Sequence, residues 1–409
     1  MPVQETAEPY TLKVPLAENL QKLPTYVFAE LDEMKAKARA RGVDLIDLGI
    51  GNPDVPTPEP IRKAIQEAAG KPENYHYPPF KGKQSFREAV ANWMQKRYGV
   101  DINPETEVQA LIGSKEGLGH LSFAYLNPGD VSLVPSPYYP VHSRATWLAG
   151  GVVHHLPLKE ENNFLPDLDS IPADVLKKAK LLFLNFPNNP TAACADLDFY
   201  TKAVAFAKQH NLVLISDLAY SEICFDGYHP PSIFQVPGAK DVAIEFHSFS
   251  KSFSMAGCRV GFACGNAQII KALYSRKTNL DYGVSGILQD RATYALTQGE
   301  QFLPEIIKVY QERRDVVVEG MNSLGWNIPK PKATMYVWLP VPERFKTSNA
   351  ESKSKAFCQH LMDETGVVIT PGVAFGDEGD QYFRISLVAP KEVLAQAIER
   401  MREKGIRYA

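Results

Sequence analysis

The chain has 409 residues, 44% of them hydrophobic and 22% charged, with 44 basic against 47 acidic side chains. A net charge of −3 lacks the basic excess of a nucleic-acid surface or a polybasic membrane patch, and no apolar run approaches transmembrane length. The length exceeds what one ordinary core holds, so two domains are expected.

In chain order, the opening stretch MPVQETAEPYTLKVP has no apolar core of signal-peptide length. Five cysteines (Cys194, Cys224, Cys258, Cys264, Cys358) form no CxxC pair, and their odd number leaves at least one thiol free. Both features suggest a cytoplasmic protein with reduced thiols. Short β-rich runs then alternate with amphipathic segments, the signature of an α/β sheet. The strand-like runs are VQALIG (108–113), DVSLVP (130–135), KLLFLNF (180–186), LVLISD (212–217), VAIEFHSFS (242–250) and RVGFACG (259–265). Helical patterns include 115–126 and 197–210. Several runs are apolar on both faces, as strands covered by helices on each side should be. After about residue 295 the texture changes: a long helical stretch (300–325) precedes MYVWLPV, a helix near 353–364, VVITPG, YFRISLV and a last helix around 391–404. The expected division is an N-terminal segment 1–50 packing beside a small α+β domain 296–409, with a large domain at 51–295.

Ligands of open α/β sheets bind outside the carboxyl ends of the strands. Those ends read Gly113-Ser114-Lys115, Pro137-Tyr138-Tyr139-Pro140, Asn188-Asn189-Pro190, Asp217-Leu218-Ala219-Tyr220 and Ser248-Phe249-Ser250-Lys251. Lysines are mostly solvated surface charges, but Lys251 follows an apolar strand and has Arg259 eight residues on. A Schiff-base lysine needs a neutral amine, which desolvation and nearby positive charge favour. Arg259 and the serines suit a phosphate; a salt-bridged edge arginine fits Arg259 equally well. Asp217, behind a mostly apolar run, needs a partner. It is either a buried helix cap or arginine partner, or the counter-ion of a protonated pyridine nitrogen. Tyr220 and Asn189 could then reach that ring's phenolic oxygen. Tyr139, between prolines, either stacks on a planar ligand or packs in the core. Ser114 and Lys115 open a helix directly after a strand, which makes an N-cap, an anion site, or both.

These segments, in this order, resemble the class I/II aminotransferases of the aspartate-aminotransferase fold (PLP fold type I): LGIGNPD, HYPPFKG, GSKEGL, SPYYP, NFPNNPTA, SDLAY, SFSKSFSMAGCRVG and YFRISL. Within that superfamily the chain is most similar to the group containing alanine and LL-diaminopimelate aminotransferases. The resemblance implies a large α/β domain with a mostly parallel seven-stranded sheet between helices, a smaller α+β domain, and pyridoxal 5′-phosphate as cofactor. Lys251 would carry the cofactor as a Schiff base and shuttle the proton between Cα and C4′. Asp217 would face the pyridine nitrogen, Tyr220 and Asn189 the phenolate oxygen, and Tyr139 the ring. Ser114, Lys115 (mainly backbone), Ser248, Ser250 and Arg259 would bind the phosphate, joined by Tyr77 of a neighbouring subunit in a homodimer. Arg384 would clasp the substrate α-carboxylate, approached also by Gly51 and Asn189, and Tyr26 would close over the site.

Two departures stand out. The family's NPTG reads NPTA here, ending at Ala192, so its glycine-dependent turn must be made differently. No arginine matches the one with which aspartate aminotransferases bind a side-chain carboxylate; KTNLDYGVSG (277–286) offers Asp281 and Tyr282 instead. The resemblance therefore implies transfer between an L-amino acid, alanine-like or of broad range with glutamate/2-oxoglutarate, and a 2-oxo acid. LL-diaminopimelate is the alternative donor, with aspartate transamination or carbon–sulfur lysis on the same scaffold behind it. A non-catalytic regulatory module would be expected to lack Lys251 or Asp217, or to carry a fused DNA-binding segment. LGIGNPD lacks the third glycine of a dinucleotide fingerprint, FKGKQS lacks P-loop spacing, and His154 and His155 are neighbours on a strand, a poor metal pair. No metal, nucleic-acid or membrane partner is expected.

Overall fold

The computed structural model describes residues 11–24, 26–347 and 352–408, so the first ten residues of the opening stretch lie outside the described residues. The first strand, β1 (Ile46–Asp47), is followed by seven strands that form one sheet. They are β2 (Val108–Leu111), β3 (Val131–Ser136), β4 (Val152–Pro157), β5 (Ala179–Leu184), β6 (Val213–Asp217), β7 (Ala243–Ser248) and β8 (Gly261–Gly265). Their spatial order is β2-β8-β7-β6-β5-β3-β4. Neighbours from β4 to β7 run parallel, whereas β8 is antiparallel to both β7 and β2.

Side chains alternate between the two faces of this sheet. Leu182, Leu184, Leu214 and Phe262 join one apolar cluster with the helices Gln84–Tyr98 and Leu197–Gln209. Leu181, Phe183, Ile215 and Ala263 join another with the helices Ser114–Tyr125 and Ala267–Thr278. β3, β7 and β8 are buried along their whole length, on both faces, which explains their mostly apolar sequences. The edge strand β4, VVHHLP, is more exposed and lacks such a run.

A second core gathers the helix Leu303–Ser323, strands β9 (Tyr336–Pro340), β10 (Val367–Val368), β11 (Thr370–Pro371) and β12 (Tyr382–Ser386), and the helices Lys353–Thr365 and Lys391–Glu403. The expected helix at 300–325 begins as a 3-10 turn, Glu300–Phe302, and turns α-helical at Leu303. Pro304 lacks an N–H and suits the first turn, where none is needed. β11, β12 and β9 form an antiparallel sheet, and β1 pairs in parallel with β10 through Ile46↔Val367. Tyr220, Ile223 and Phe225, which follow β6, are buried in this second core, so the two cores meet at the carboxyl end of β6.

Candidate active site

The parallel strands all point their carboxyl ends to one edge, and because β8 is reversed its amino end reaches the same edge. Arg259, just before β8, is thereby brought beside Ser250, which lies just beyond β7. Arg259 Nη1 donates to Ser250 Oγ at 3.4 Å and to the Ala256 carbonyl at 2.9 Å. At this edge lies a cavity of about 390 Å³, within the size range of small-ligand pockets. Thirteen of the expected site residues line it: Tyr26, Gly51, Ser114, Lys115, Tyr139, Asn189, Asp217, Tyr220, Ser248, Ser250, Lys251, Arg259 and Arg384. Tyr77 does not. It is 78% exposed and its ring stacks on Tyr282, with 4.3 Å between centroids.

Lys251 Nζ donates to the Gly51 carbonyl at 2.7 Å. Burial, the largest influence, holds this amine below the usual lysine value; Tyr336 opposes it, and the charges of Arg384 and Arg259 reinforce it. Lys115 is also pushed down, by burial and then by Arg144 and Arg259. Arg259 and Gly113 share a tight corner. Gly113 has φ +75°, and a Cβ there would lie 2.4 Å from Arg259 Nη2, so only glycine lets the guanidinium lie against the start of the helix Ser114–Tyr125.

Asp217, at the end of β6, is buried. Its Oδ2 lies 3.1 Å from His142 Nε2, while Oδ1 has no hydrogen-bond partner among the described residues. Asn185 ties the loop after β5 to this point: its Nδ2 donates to the Asp217 carbonyl at 2.7 Å and its Oδ1 accepts from Asn189 N at 3.0 Å. Arg384, on β12, donates from Nη1 to Asn189 Oδ1 at 2.7 Å and from Nη2 to the Gly49 carbonyl at 2.9 Å. Its guanidinium lies 4.0 Å from the centre of the Tyr336 ring and 4.6 Å from that of Phe375. Tyr139 is half-buried, edge-on to His142, and desolvation followed by the charge of Asp217 pushes its phenol well up. Tyr26, at the mouth, lies under the Arg144 guanidinium, 4.9 Å from ring centre.

Four residues of the site were not anticipated from sequence. Tyr336, on β9, accepts a hydrogen bond from the Tyr220 hydroxyl at 2.9 Å and faces Gly51 so closely that a Cβ there would lie 2.2 Å from its oxygen. Its only sequence signal is a hydroxyl within the apolar run MYVWLPV. His142 and Asn185 stand 75 and 32 residues from Asp217, and no local pattern links them to it. Asp32, on the helix Val27–Ala40, is the one lining carboxylate besides Asp217 among the described residues. The NPTA turn is also resolved: Ala192 itself takes φ +60°, the left-handed conformation glycine adopts at no cost, so the turn persists with alanine in it.

The family model for aminotransferases of class I and II matches residues 43–401. This chain belongs to the class I and II aminotransferases. LL-diaminopimelate aminotransferase of Moorella thermoacetica is 50% identical over 386 residues, covering 94% of this chain and 97% of that one. The Aquifex aeolicus protein of the same name is 49% identical over 94% of this chain and 98% of its own. Among solved structures, substrate-bound BacF from Bacillus subtilis superposes with a TM-score of 0.91 at 40% identity, covering 97% of this chain and 99% of BacF. A single mutant of Thermus thermophilus aspartate aminotransferase gives 0.87 at 29% identity over 96% of this chain and 100% of its own.

The aminotransferase is thus a transaminase that uses pyridoxal 5′-phosphate, and its α/β fold is that of these neighbours. The cavity fits the cofactor: it offers a half-buried lysine, a serine- and arginine-lined helix start, and a carboxylate oxygen that lacks a donor among the described residues. Among the described residues no helix is long and apolar enough to cross a membrane. Glu116, His120 and Asp281 form a metal-like cluster, but Lys277 Nζ already supplies the positive charge there, 2.5 Å from Glu116 and 3.1 Å from Asp281.

Proposed function

We propose that this aminotransferase takes the amino group of LL-diaminopimelate and passes it to 2-oxoglutarate. From sequence an alanine-like or broad-range donor came first, LL-diaminopimelate was the alternative and aspartate stood behind; the curated relatives favour LL-diaminopimelate. Identity of about one half over nearly the full length to relatives of that name carries the reading. In the cavity, Arg384 offers its charge to the donor's α-carboxylate, and Asp32, which also pairs with Lys35 Nζ at 2.5 Å, is the lining carboxylate besides Asp217 among the described residues that a second ammonium would meet.

The cofactor supplies an electron sink that stabilises negative charge at the donor's Cα. Lys251 would carry it and, once displaced by the donor's amino group, its free Nζ, biased towards the neutral form by burial, would be the base that takes the Cα proton. Asp217 offers its unpartnered Oδ1 to the pyridine nitrogen, with His142 holding the other oxygen. Arg384 occupies the Asn189 side-chain oxygen, which leaves the Asn189 amide N–H₂ to donate to the phenolic oxygen beside Tyr220. Tyr139 would pack on the ring face, and Ser114, Lys115, Ser248, Ser250 and Arg259 would hold the phosphate. Arg384, whose Nε is unpartnered among the described residues, binds the α-carboxylate alongside Gly51 and Asn189, and Tyr26 guards the mouth.

Tyr77 joins the phosphate site of a second copy in a homodimer. In support, Tyr77 and Tyr282 are exposed large apolar side chains whose rings stack on each other at the surface. We also assign residues 51–295 to the cofactor domain and 1–50 with 296–409 to the small domain side, and place the enzyme in the cytoplasm, in keeping with five free cysteines.

A donor screen with purified protein and 2-oxoglutarate tests the reading, comparing LL-diaminopimelate with alanine, aspartate, methionine and an aromatic amino acid. Glutamate is expected from LL-diaminopimelate; its appearance from alanine but not from LL-diaminopimelate would overturn the donor assignment. Lys251→Ala is expected to lose both turnover and the visible absorption of the bound cofactor.

A further inference from the structure

Tyr336 is a buried phenol in the site, and the roles assigned above leave it unused. Its hydroxyl oxygen accepts the proton of Tyr220 across 2.9 Å, linking β9 of the second core to the loop after β6. The two rings meet edge to face at 73°, with centroids 5.6 Å apart, so the contact is held by packing as well as by the hydrogen bond. Lys251, Arg384, Tyr220 and Gly51 are the groups around it. Tyr220 has only one proton to give, and here it gives it to Tyr336 rather than into the cavity.

We propose that Tyr336 is a positioning residue that acts through Tyr220: when the cofactor's phenolic oxygen is present, the two hydroxyls run in series, Tyr336 donating to Tyr220 and Tyr220 donating to that oxygen. A donor whose own oxygen accepts a hydrogen bond is polarised and donates more strongly. Two hydroxyls 2.9 Å apart can each donate or accept, so an acceptor oxygen in the cavity can take the Tyr220 proton and leave the Tyr220 oxygen to accept from Tyr336. Arg384, with its guanidinium 4.0 Å from the Tyr336 ring centre, keeps positive charge beside that hydroxyl. The strengthened bond holds negative charge on the phenolic oxygen and keeps the lysine-bound chromophore deprotonated to lower pH. The inference rests on the placement of Tyr220 against that oxygen.

The test is a pH titration of the visible absorbance of the holoenzyme and of Tyr220→Phe, Tyr336→Phe and the double variant. Phenylalanine keeps the ring against Arg384, so the fold and the stacking survive. Tyr336→Phe is expected to raise the titration midpoint by about half a pH unit, roughly threefold in proton affinity, and Tyr220→Phe by more. In the double variant the midpoint is expected to match Tyr220→Phe alone, because one residue works through the other. An unshifted midpoint in Tyr336→Phe, or a shift that adds in full to that of Tyr220→Phe, overturns the series arrangement. If Tyr220→Phe itself leaves the midpoint in place, the placement of Tyr220 fails instead, which separates the two claims.

Discussion

Replacing Asp217 by asparagine separates what this carboxylate does for the cofactor from what it does for the fold. Asp217 is buried, with Oδ2 at 3.1 Å from His142 and Oδ1 unpartnered among the described residues. Asparagine has the same shape, keeps an acceptor for His142 and loses the charge. Without cofactor, a buried polar atom lacking a partner costs about 1–3 kcal/mol, and more when charged. The neutral amide lowers that cost, so the cofactor-free variant is expected to be at least as stable as its parent. With cofactor, the variant loses a charge-assisted hydrogen bond worth about 1.5–3 kcal/mol. That corresponds to cofactor affinity weakened roughly 10- to 150-fold. Denaturant unfolding of both forms, together with a cofactor titration followed by absorbance, reads both effects. The expected signature is opposite signs: stability held or gained without cofactor, lost with it. Equal destabilisation of both forms at unchanged cofactor affinity would make Asp217 a structural partner of His142 and refute its assignment.

Three further perturbations probe the surroundings. Lys251 is held below the ordinary lysine pKa of 10.5, so between the two values the unfolded chain binds more protons and stability rises with pH. Below that window the cost of burying the ammonium is fully present. Cofactor-free Lys251→Met is therefore expected to be more stable than the parent at neutral pH, with the advantage shrinking as pH approaches 10.5; a pH-independent difference in denaturation midpoints would contradict this. Gly51→Ala places a Cβ 2.2 Å from the Tyr336 oxygen, an overpacking that costs about 1–3 kcal/mol and shifts the carbonyl holding Lys251. A drop of roughly tenfold or more in kcat/KM is expected, and wild-type kinetics would show that the segment yields freely. Lys277→Ala strips the cation from Glu116 and Asp281. Those carboxylates are partly exposed, so the loss should fall near the lower end, about 3 kcal/mol, of the range for broken buried pairs. Since Glu116 also accepts from Ile112 N at 3.1 Å, just before the Ser114 turn, weaker cofactor binding is expected too; unchanged unfolding midpoints would sink the argument.

What the sequence disclosed follows from how local each signal is. β3, β5, β6 and β7 were visible as apolar runs because helices cover both their faces. β4 at the edge, with its two histidines, was not placed among those runs because its burial is partial. Ser114, Asp217 and Lys251 were legible because parallel strands deliver their carboxyl ends to one place, so strand ends alone pick them out. Arg259 needed a further fact, that β8 runs backwards. Tyr336, His142, Asn185 and Asp32 escaped for the opposite reason. Each acts through a partner between 32 and 116 residues away, or across the cavity, and the chain carries no periodicity for such pairs. A buried hydroxyl or imidazole in an apolar element demands a partner, which flags the residue without naming what it meets.

The same long-range pairs explain why the site belongs to neither core alone. Gly49 and Gly51 lie just after β1, which is tied to β10. The Gly49 carbonyl accepts from Arg384 at 2.9 Å, Thr370 at 2.6 Å and Ser386 at 3.1 Å, all from the second core. Two residues on, the Gly51 carbonyl accepts from Lys251 of the first core at 2.7 Å. Arg384 then reaches back to Asn189, and Tyr336 to Tyr220. Three of the hydrogen bonds that join these distant segments thus end on residues assigned to the cofactor. The position of the lysine, the orientation of the asparagine amide and the direction of the Tyr220 proton are set by how the small sheet sits against the large one. A change in that seating reaches all three groups together, which is a physical reason for two packed cores to share one site.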